Sequence, residues 1–97
     1  MWYNGSMKVN KTAKQLERYF KGPANHHRIR IIMLLAAKPK LFLDDIAKGL
    51  DANIKTISEH TRRLVQAGLV NKKYQGNKVE HTLSPYGEEF NKFFKVF

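Results

Sequence analysis

The segment from Asn53 to Val70, NIKTISEHTRRLVQAGLV, constrains the fold of this chain more than any other. On a helical wheel at about 100° per residue, the side chains that suit a core gather in one arc and the polar ones gather opposite. The inner arc holds Ile54, Ile57, Thr61, Leu64 and Val65. The outer arc holds Lys55, Glu59, Arg62 and Gln66, flanked by Thr56, Ser58 and Arg63. With Asn53 as N-cap and Gly68 just past the end, the pattern predicts an amphipathic helix over about 53–67.

The residues before this helix indicate what it does. Leu43–Leu50 has the pattern of a short helix, and Asp51 and Ala52 leave room only for a tight turn. A short helix, a tight turn and a longer helix form a helix-turn-helix, whose second helix enters the DNA major groove. Taken alone, the longer helix is equally compatible with an ordinary solvated polar face, so the preceding segment decides for the helix-turn-helix.

Length and composition limit the classes of protein that remain. Ninety-seven residues allow one domain with a modest core, which we assign to residues 9–97, and we expect residues 1–8 to form a disordered tail. The absence of cysteine excludes disulfides, thiolate metal sites and thiol catalysis. No apolar run approaches the roughly 20 residues of a membrane span. The N-terminus lacks the apolar core of a signal peptide, which predicts a cytoplasmic protein.

The formal net charge of +10 favours a polyanionic partner, with nucleic acid ahead of an anionic membrane. The charge is uneven: residues 1–40 carry +8, residues 41–52 carry −2, residues 53–82 carry +4 and residues 83–97 are neutral. Much of the excess therefore precedes the helix-turn-helix.

Two helices and a short strand are predicted before the motif. Val9–Lys21 has apolar residues at helical spacing, with Asn10 as its N-cap. Asn25–Ala37 has a wide apolar face and is the expected central core helix. Leu41 and Phe42 are expected to add a short strand. His26 and His27 are weak candidates for metal ligands, because adjacent residues do not share a helix face.

After Gly68 the apolar period changes to two, which predicts a β-hairpin over about 69–83 with its turn at Gly76-Asn77. A hairpin directly after a recognition helix is a wing. His81 lies within it and is expected to be an ordinary strand residue.

The last helix is predicted over about 84–97, with Ser84 as N-cap and Pro85 at the first helical position. One face of it is aromatic and carries Tyr86, Phe90, Phe93, Phe94 and Phe97. This stripe could pack on the chain's own core, but the preceding helices already supply one. We therefore expect it to be buried against a second subunit, together with Leu16, Tyr19 and Phe20 of the first helix.

The run Ala24–Val70 resembles the winged helix-turn-helix repressors of the ArsR type. The matching residues are NHHRIRIIMLL for the core helix and LDDIAKGLDANIKTISEHTRRLVQAGLV for the helix-turn-helix. The later run HTLSPYGEEF is similar to the passage from wing to last helix in MarR-like regulators. The resemblance implies a homodimeric transcriptional regulator that dimerises through its first and last helices.

The chain also departs from the family. Metal-sensing members place cysteines on the helix that here begins Phe42-Leu43-Asp44, and this chain has none. Some members also carry acidic and histidine ligands on their last helix, whereas the segment Tyr86–Phe97 has no His or Asp. Thr61 stands where an apolar residue is common. The resemblance therefore implies DNA binding but not metal sensing.

We predict a mainly α fold, a winged helix-turn-helix with a β-hairpin wing flanked by N- and C-terminal dimerisation helices. Its function is predicted to be sequence-specific binding of double-stranded DNA as a homodimeric regulator, acting as a repressor. We expect no cofactor, no metal, no membrane contact and no catalysis, since neither a P-loop nor a Ser/His/Asp constellation is present. The side chains expected to contact bases are Lys55, Thr56, Ser58, Glu59 and Arg62. Those expected to contact the DNA backbone are Arg63, Gln66, Lys72, Lys73 and Lys78.

Two alternatives remain open. One is an architectural chromatin protein of low sequence preference, which the excess of 13 lysines over 5 arginines supports because lysine acts mainly as a point charge on phosphate. The other is a winged helix that serves as a protein–protein interaction module, which the net charge disfavours.

Overall fold

Five helices and three strands follow one another along residues 9–97, the part of the chain that the computed structural model describes. The elements are α1 (Ala13–Lys21), α2 (His26–Ala37), β1 (Leu41–Phe42), α3 (Leu43–Gly49), α4 (Ile54–Gln66), β2 (Val70–Gln75), β3 (Lys78–Leu83) and α5 (Pro85–Phe94). This order confirms the predicted mainly α winged helix-turn-helix. The tail predicted over residues 1–8 lies outside the described residues.

Helix α2 is the centre of the core, as its wide apolar face predicted. It contacts α3, α4, α5 and β3. The buried apolar side chains are Ile31, Ile32, Leu35, Ile46, Ala47, Ile57, Leu64, Leu69 and Val70. Full burial of one large aliphatic side chain contributes roughly 1.5–3 kcal/mol, so this cluster holds the inner face of α4 firmly and leaves its outer face to solvent.

Local capping fixes the two ends of the recognition helix α4 and the start of α5. The Asn53 side chain accepts from the backbone N–H of Lys55 at 2.8 Å, and Gly68 has a left-handed φ of 79°. Ser84 accepts from the N–H of Gly87 at 3.1 Å while its hydroxyl donates to the carbonyl of Gly68 at 2.6 Å. One serine thus ties the end of the recognition helix to the start of α5.

The sheet has the order β1-β3-β2, and both pairings are antiparallel. Lys72 lies opposite His81, and Lys73 lies opposite Glu80. Successive strand residues point to opposite faces, so Lys72 and Lys73 project on opposite sides of the wing. The turn at Gly76 has a φ of 65°, in keeping with the predicted hairpin.

Three predicted details are wrong, and two of them concern helix ends. Helix α1 begins at Ala13 with Thr12 as N-cap, not at Val9 with Asn10, because Thr12 and Gln15 cap each other reciprocally at 3.2 and 2.9 Å. Helix α5 ends at Phe94, and residues 95–97 continue in tighter turns with i to i−3 hydrogen bonds.

The third error concerns Ile54, which is 47% exposed and does not belong to the buried stripe of α4. It is the first residue of the helix, and helical side chains tilt towards the N-terminus, so this one projects past the core layer.

The longest of these helices, α4, has 13 residues. None of the helices in residues 9–97 could reach across the apolar part of a bilayer.

Candidate nucleic-acid interface

The outer face of helix α4 is polar, and its inner face packs in the core. Of the five side chains expected to contact bases, four are exposed: Lys55, Ser58, Glu59 and Arg62. Thr56 is half-buried. The first two turns of such a helix are the part that meets base edges, and they hold four of the five residues.

An ion-pair network occupies the middle of this outer face. Arg62 contacts both carboxylate oxygens of Glu59, with Nη2 at 2.8 Å from Oε1, and Arg63 Nε lies 3.1 Å from Oε2. The hydrogen bonds from Arg62 and then Arg63 hold the pKa of the Glu59 carboxyl below its usual range. Two arginines expected to play different roles therefore share one carboxylate.

The wing carries three exposed lysines that do not form one patch. Lys72 faces the recognition helix, whereas Lys73 projects from the other side of the sheet. Lys78 lies at the tip, with its Nζ 5.0 Å from the centre of the Phe42 ring. Gln66, the remaining residue expected to contact the DNA backbone, lies beside Lys11 and Arg18, away from the wing.

A cavity of about 370 Å³ separates the recognition helix from the wing. Ser58 and Arg62 border it from α4, Lys72 and Lys78 border it from the hairpin, and Leu43 and Asp44 border it from the start of α3. We call it the wing cavity. No pattern in the sequence indicates it, because it combines residues from three separate segments.

A group of three imidazole rings was likewise not predicted from the sequence. The rings of His26 and His27 are 4.1 Å apart, and the His27 ring stacks on that of His60 in α4 at 5.0 Å. Arg28 Nε lies 3.1 Å from His60 Nδ1. Burial lowers the pKa of His60, and the charge of Arg28 lowers it further. Among the described residues, no group of three or more His, Cys, Asp or Glu is arranged to hold a metal ion.

Some of the aromatic side chains of α5 pack within the chain, and others are exposed to solvent. Tyr19 and Tyr86 have ring centres 5.0 Å apart, and Phe20 packs edge-on against Phe90 at 5.2 Å. Leu16, Tyr19, Phe90 and Phe94 are half-buried. Phe20, Tyr86, Phe93 and Phe97 remain exposed.

A family model described as "Bacterial regulatory protein, arsR family" matches residues 25–72, from the N-cap of α2 into β2. This segment contains α3 and α4 and is similar to the helix-turn-helix of that family. The resemblance seen in the sequence is therefore confirmed for the part of the chain that carries the recognition helix. A comparison with curated protein sequences gives no match.

Solved structures share the whole fold. HlyU from Vibrio cholerae is similar with a TM-score of 0.78 and 22% identity, over 91% of this chain and 96% of that one. A homodimeric winged helix-turn-helix DNA-binding domain from Mycobacterium bovis is described as a possible ArsR-family transcriptional regulator. It has a TM-score of 0.77 and 23% identity, over 97% of this chain and 88% of that one. The AntR antimony-specific transcriptional repressor has a TM-score of 0.80 and 19% identity, over 98% of this chain and 86% of that one. The fold is that of ArsR-type DNA-binding transcriptional regulators.

Proposed function

We propose that this protein is a homodimeric transcriptional regulator that binds double-stranded DNA in a sequence-specific manner and acts as a repressor. The observation that carries the proposal is the exposed face of Lys55, Ser58, Glu59 and Arg62 on a helix whose opposite face is buried in the core. A rigid scaffold with a polar helix face is what major-groove recognition requires. The arsR-family match to the same segment supports it.

In this proposal the outer face of α4 reads bases. Arg62 donates two hydrogen bonds to a guanine edge, and such a bidentate contact contributes roughly 1–3 kcal/mol of discrimination. Glu59 accepts from a cytosine amino group, the one base-edge contact that suits an acid close to phosphates. Lys55, Thr56 and Ser58 meet the neighbouring base pairs.

Side chains around the recognition helix hold the phosphates. Arg63 lies beside the base-reading face, Lys72, Lys73 and Lys78 lie on the wing, and Gln66 lies near the end of α4. Contacts to phosphate set the register and orientation of the protein without specifying a sequence. Their number sets how steeply affinity falls with salt.

Dimerisation places two recognition helices on successive half-sites, about 34 Å apart along the DNA. The aromatic side chains left exposed on α1 and α5 are the surface we assign to this contact. The homodimeric state of the Mycobacterium bovis domain, which has the same fold, supports the assignment.

The regulator is proposed to act by occupying DNA, without catalysis and without a metal. Although AntR is an antimony-specific repressor, this chain has no cysteine to hold a thiophilic metal. Because chromosomal DNA is its proposed ligand, we place the protein in the cytoplasm. Operator affinity is expected to be the same with zinc, with arsenite and with a chelator.

Selection of bound sequences from a random DNA pool tests the proposal. A regulator enriches one motif, which a dimer repeats with two-fold symmetry, and binds it about 10³ to 10⁷ times more tightly than random DNA. An architectural protein, which the 13 lysines favour, binds DNA without enriching a motif. A protein–protein module has no measurable affinity for DNA, and that result would reject the proposal outright.

A further inference from the structure

The recognition helix has two edges, and only one of them faces the wing. Arg62 borders the wing cavity along the first edge. The second edge carries Thr56, His60 and Arg63, which follow one another at spacings of four and three residues and therefore share one side of α4. Arg28 of α2 reaches this side, where its Nε lies 3.1 Å from Nδ1 of His60. We call it the α2 edge.

A helix in the major groove has phosphates along both edges, because the groove is only about 12 Å wide and a DNA backbone runs along each of its sides. On the wing edge, the proposed phosphate contacts are the lysines of the hairpin. On the α2 edge, the proposed contact is Arg63, which also donates to the carboxylate of Glu59. The imidazole rings of His60, His27 and His26 lie on the same side.

These three rings form a row that runs from α4 to the start of α2. The ring of half-buried His60 is 5.0 Å from that of His27, and the ring of His26 follows at 4.1 Å. His26 is the first residue of α2, and its side chain is exposed. It is therefore the member of the row that a ligand can reach.

His60 is held in its uncharged form. Its Nδ1 must accept from Arg28, because a guanidinium only donates. Burial lowers the pKa of His60, and so does the charge of Arg28. Positive charge on His27 or His26 acts in the same direction, whereas Glu59 opposes it. The carboxylate of Glu59 is itself paired with two arginines, so its opposing effect is small.

The geometry also disfavours the charged form of His27, for a different reason. Its Nδ1 is enclosed and has no hydrogen-bond partner among the described residues. A protonated imidazole carries a donor on both nitrogens, so protonation would place an unpaired donor at this enclosed atom. Burying a donor without an acceptor is unfavourable. The neutral ring avoids this cost because it can leave Nδ1 without a proton.

His26 is thus the member of the row that can take up a proton when an anion approaches. Histidine is the side chain whose charge changes between pH 5 and 8. An opposite charge within about 4–6 Å favours the charged imidazole. In the free protein the nearby guanidinium of Arg28 disfavours it, and Lys21 at the end of α1 is paired with Glu17 at 3.4 Å.

We propose that the α2 edge binds a phosphate of the DNA backbone through His26, which takes up a proton from solvent as the DNA binds. The imidazolium of His26 donates to the phosphate, the uncharged ring of His27 packs behind it, and Arg28 adds positive charge. This site rests on the proposed function and lies on the side of the recognition helix opposite the wing. Because binding and protonation are coupled reciprocally, the protein binds DNA more tightly as the pH falls.

Anisotropy titration of labelled duplex DNA with the full chain, at pH 7.5 and 6.0 and constant ionic strength, tests the site. We expect the Kd to fall about three- to tenfold, since uptake of one proton changes it by at most about tenfold for each unit of pH. Phosphates carry no sequence information, so the selected motif and random DNA should show the same change. Circular dichroism verifies that the chain is folded at pH 6.0.

Two results of this titration have different meanings. DNA binding with the same Kd at both pH values would overturn the site and leave the proposed function intact. No DNA binding at either pH value would reject the proposed function and this site with it.

Variants identify the histidine that takes up the proton. His26→Gln keeps a hydrogen-bonding side chain that cannot be charged, and it is expected to abolish the tightening at pH 6.0. The matched control is His60→Asn, which replaces another histidine of the row by an uncharged amide whose Oδ1 can still accept from Arg28. It is expected to keep the tightening. Tightening that persists in His26→Gln, or that is lost equally in both variants, would overturn the assignment to His26.

The salt dependence shows whether the proton is taken up at a phosphate. At pH 6.0 the wild type neutralises one more phosphate, so the slope of log K against log salt should be steeper than at pH 7.5 by up to roughly 0.9. In His26→Gln the slope should be the same at both pH values. Equal slopes at both pH values in the wild type would show that the charged histidine does not contact a phosphate, and would overturn the site.

Discussion

Arg28 in α2 donates a hydrogen bond from Nε to Nδ1 of His60 in α4, across 3.1 Å. The same guanidinium donates through Nη1 to the carbonyls of Lys21 and Gly22, at 3.3 and 3.1 Å. A guanidinium only donates, so Nδ1 of His60 must accept and the ring must be neutral. One arginine thus links the end of α1 and the core helix to the recognition helix, provided that His60 is unprotonated.

This link makes stability depend on pH. Burial and the charge of Arg28 lower the pKa of His60 in the folded chain, so the unfolded chain takes up the proton at a higher pH. The stabilising contribution is therefore complete above the unfolded value near 6.5 and is lost as the pH falls through the lower folded value. Urea unfolding at pH 7.5, 6.5 and 5.5 is expected to show a falling free energy of unfolding.

The control variant is His60→Asn, whose Oδ1 can take the place of Nδ1 as acceptor but cannot be protonated. Its free energy of unfolding is expected to fall less between pH 7.5 and 5.5 than that of the wild type. The pH dependence of stability that remains in this variant includes a contribution from His81, because burial also lowers the pKa of His81. An identical slope in both proteins would show that His60 does not contribute to the pH dependence.

Base preference is expected to depend on the pair Glu59 and Arg62. Arg62→Ala removes the proposed guanine contact and should relax the motif that selection from a random pool yields, with roughly 1–3 kcal/mol less discrimination. Glu59→Ala should change the preferred base at one position. Motifs identical to that of the wild type in both variants would reject the assignment.

The ion pairs add a second consequence for Glu59. In the free protein its carboxylate holds both Arg62 and Arg63, so Glu59→Ala frees two cations for phosphate. Affinity for random DNA should rise and should depend more steeply on salt, as anisotropy titrations at several salt concentrations would measure. Glu59→Gln, which keeps the shape but not the charge, should change the affinity in the same direction.

The contribution of the wing is expected to appear in the salt dependence. Replacing Lys73 and Lys78 together by glutamine should flatten the slope of log K against log salt by roughly 0.9 for each phosphate that the wing no longer neutralises, without changing the selected motif. The control is Lys14→Gln combined with Lys21→Gln, the same loss of two charges on α1. A slope equal to that of the control would mean that these two lysines do not contact DNA.

The sequence predicts those features of the fold that depend on neighbouring residues. The caps at Asn53 and Ser84 act within three residues, so they can be recognised from the chain alone. The correct start of α1 is also present in the sequence as the capping box Thr12–Gln15, and the hydrogen bonds that Arg62 and Arg63 donate to Glu59 follow from helical spacing.

The wing cavity and the histidine group could not be predicted in this way. Arg28 and His60 are 32 residues apart, and Thr61 and Lys72 border the same cavity only because β2 folds back beside α4. Such contacts depend on how α2, α4 and the hairpin pack, and no local pattern in the sequence specifies their side-chain geometry. The packing of α5 could not be predicted either. Its aromatic stripe predicts an interface, but it does not indicate which rings are buried within the chain and which stay exposed.

The last prediction depends on which rings of the aromatic stripe are exposed and which are half-buried. Phe93 and Phe97 are 45% and 94% exposed, with ring centres 5.4 Å apart, so replacing them removes little from the core of a single chain. Phe93→Ser combined with Phe97→Ser is expected to give folded monomers, whereas Phe90→Ala combined with Phe94→Ala removes half-buried rings and destabilises the monomer as well. Buried apolar area contributes roughly 25 cal/mol per Å² before the cost of association, so removing two exposed rings from each subunit is enough to shift a dimer of moderate affinity.

Sedimentation at micromolar concentration, with circular dichroism to verify folding, would measure both effects, and operator affinity should fall with the dimer although neither ring touches DNA. Tyr74→Ser, which removes an exposed aromatic from the wing, should leave the dimer intact. A wild-type chain that sediments as a monomer would contradict the assignment of the exposed rings to a dimer interface.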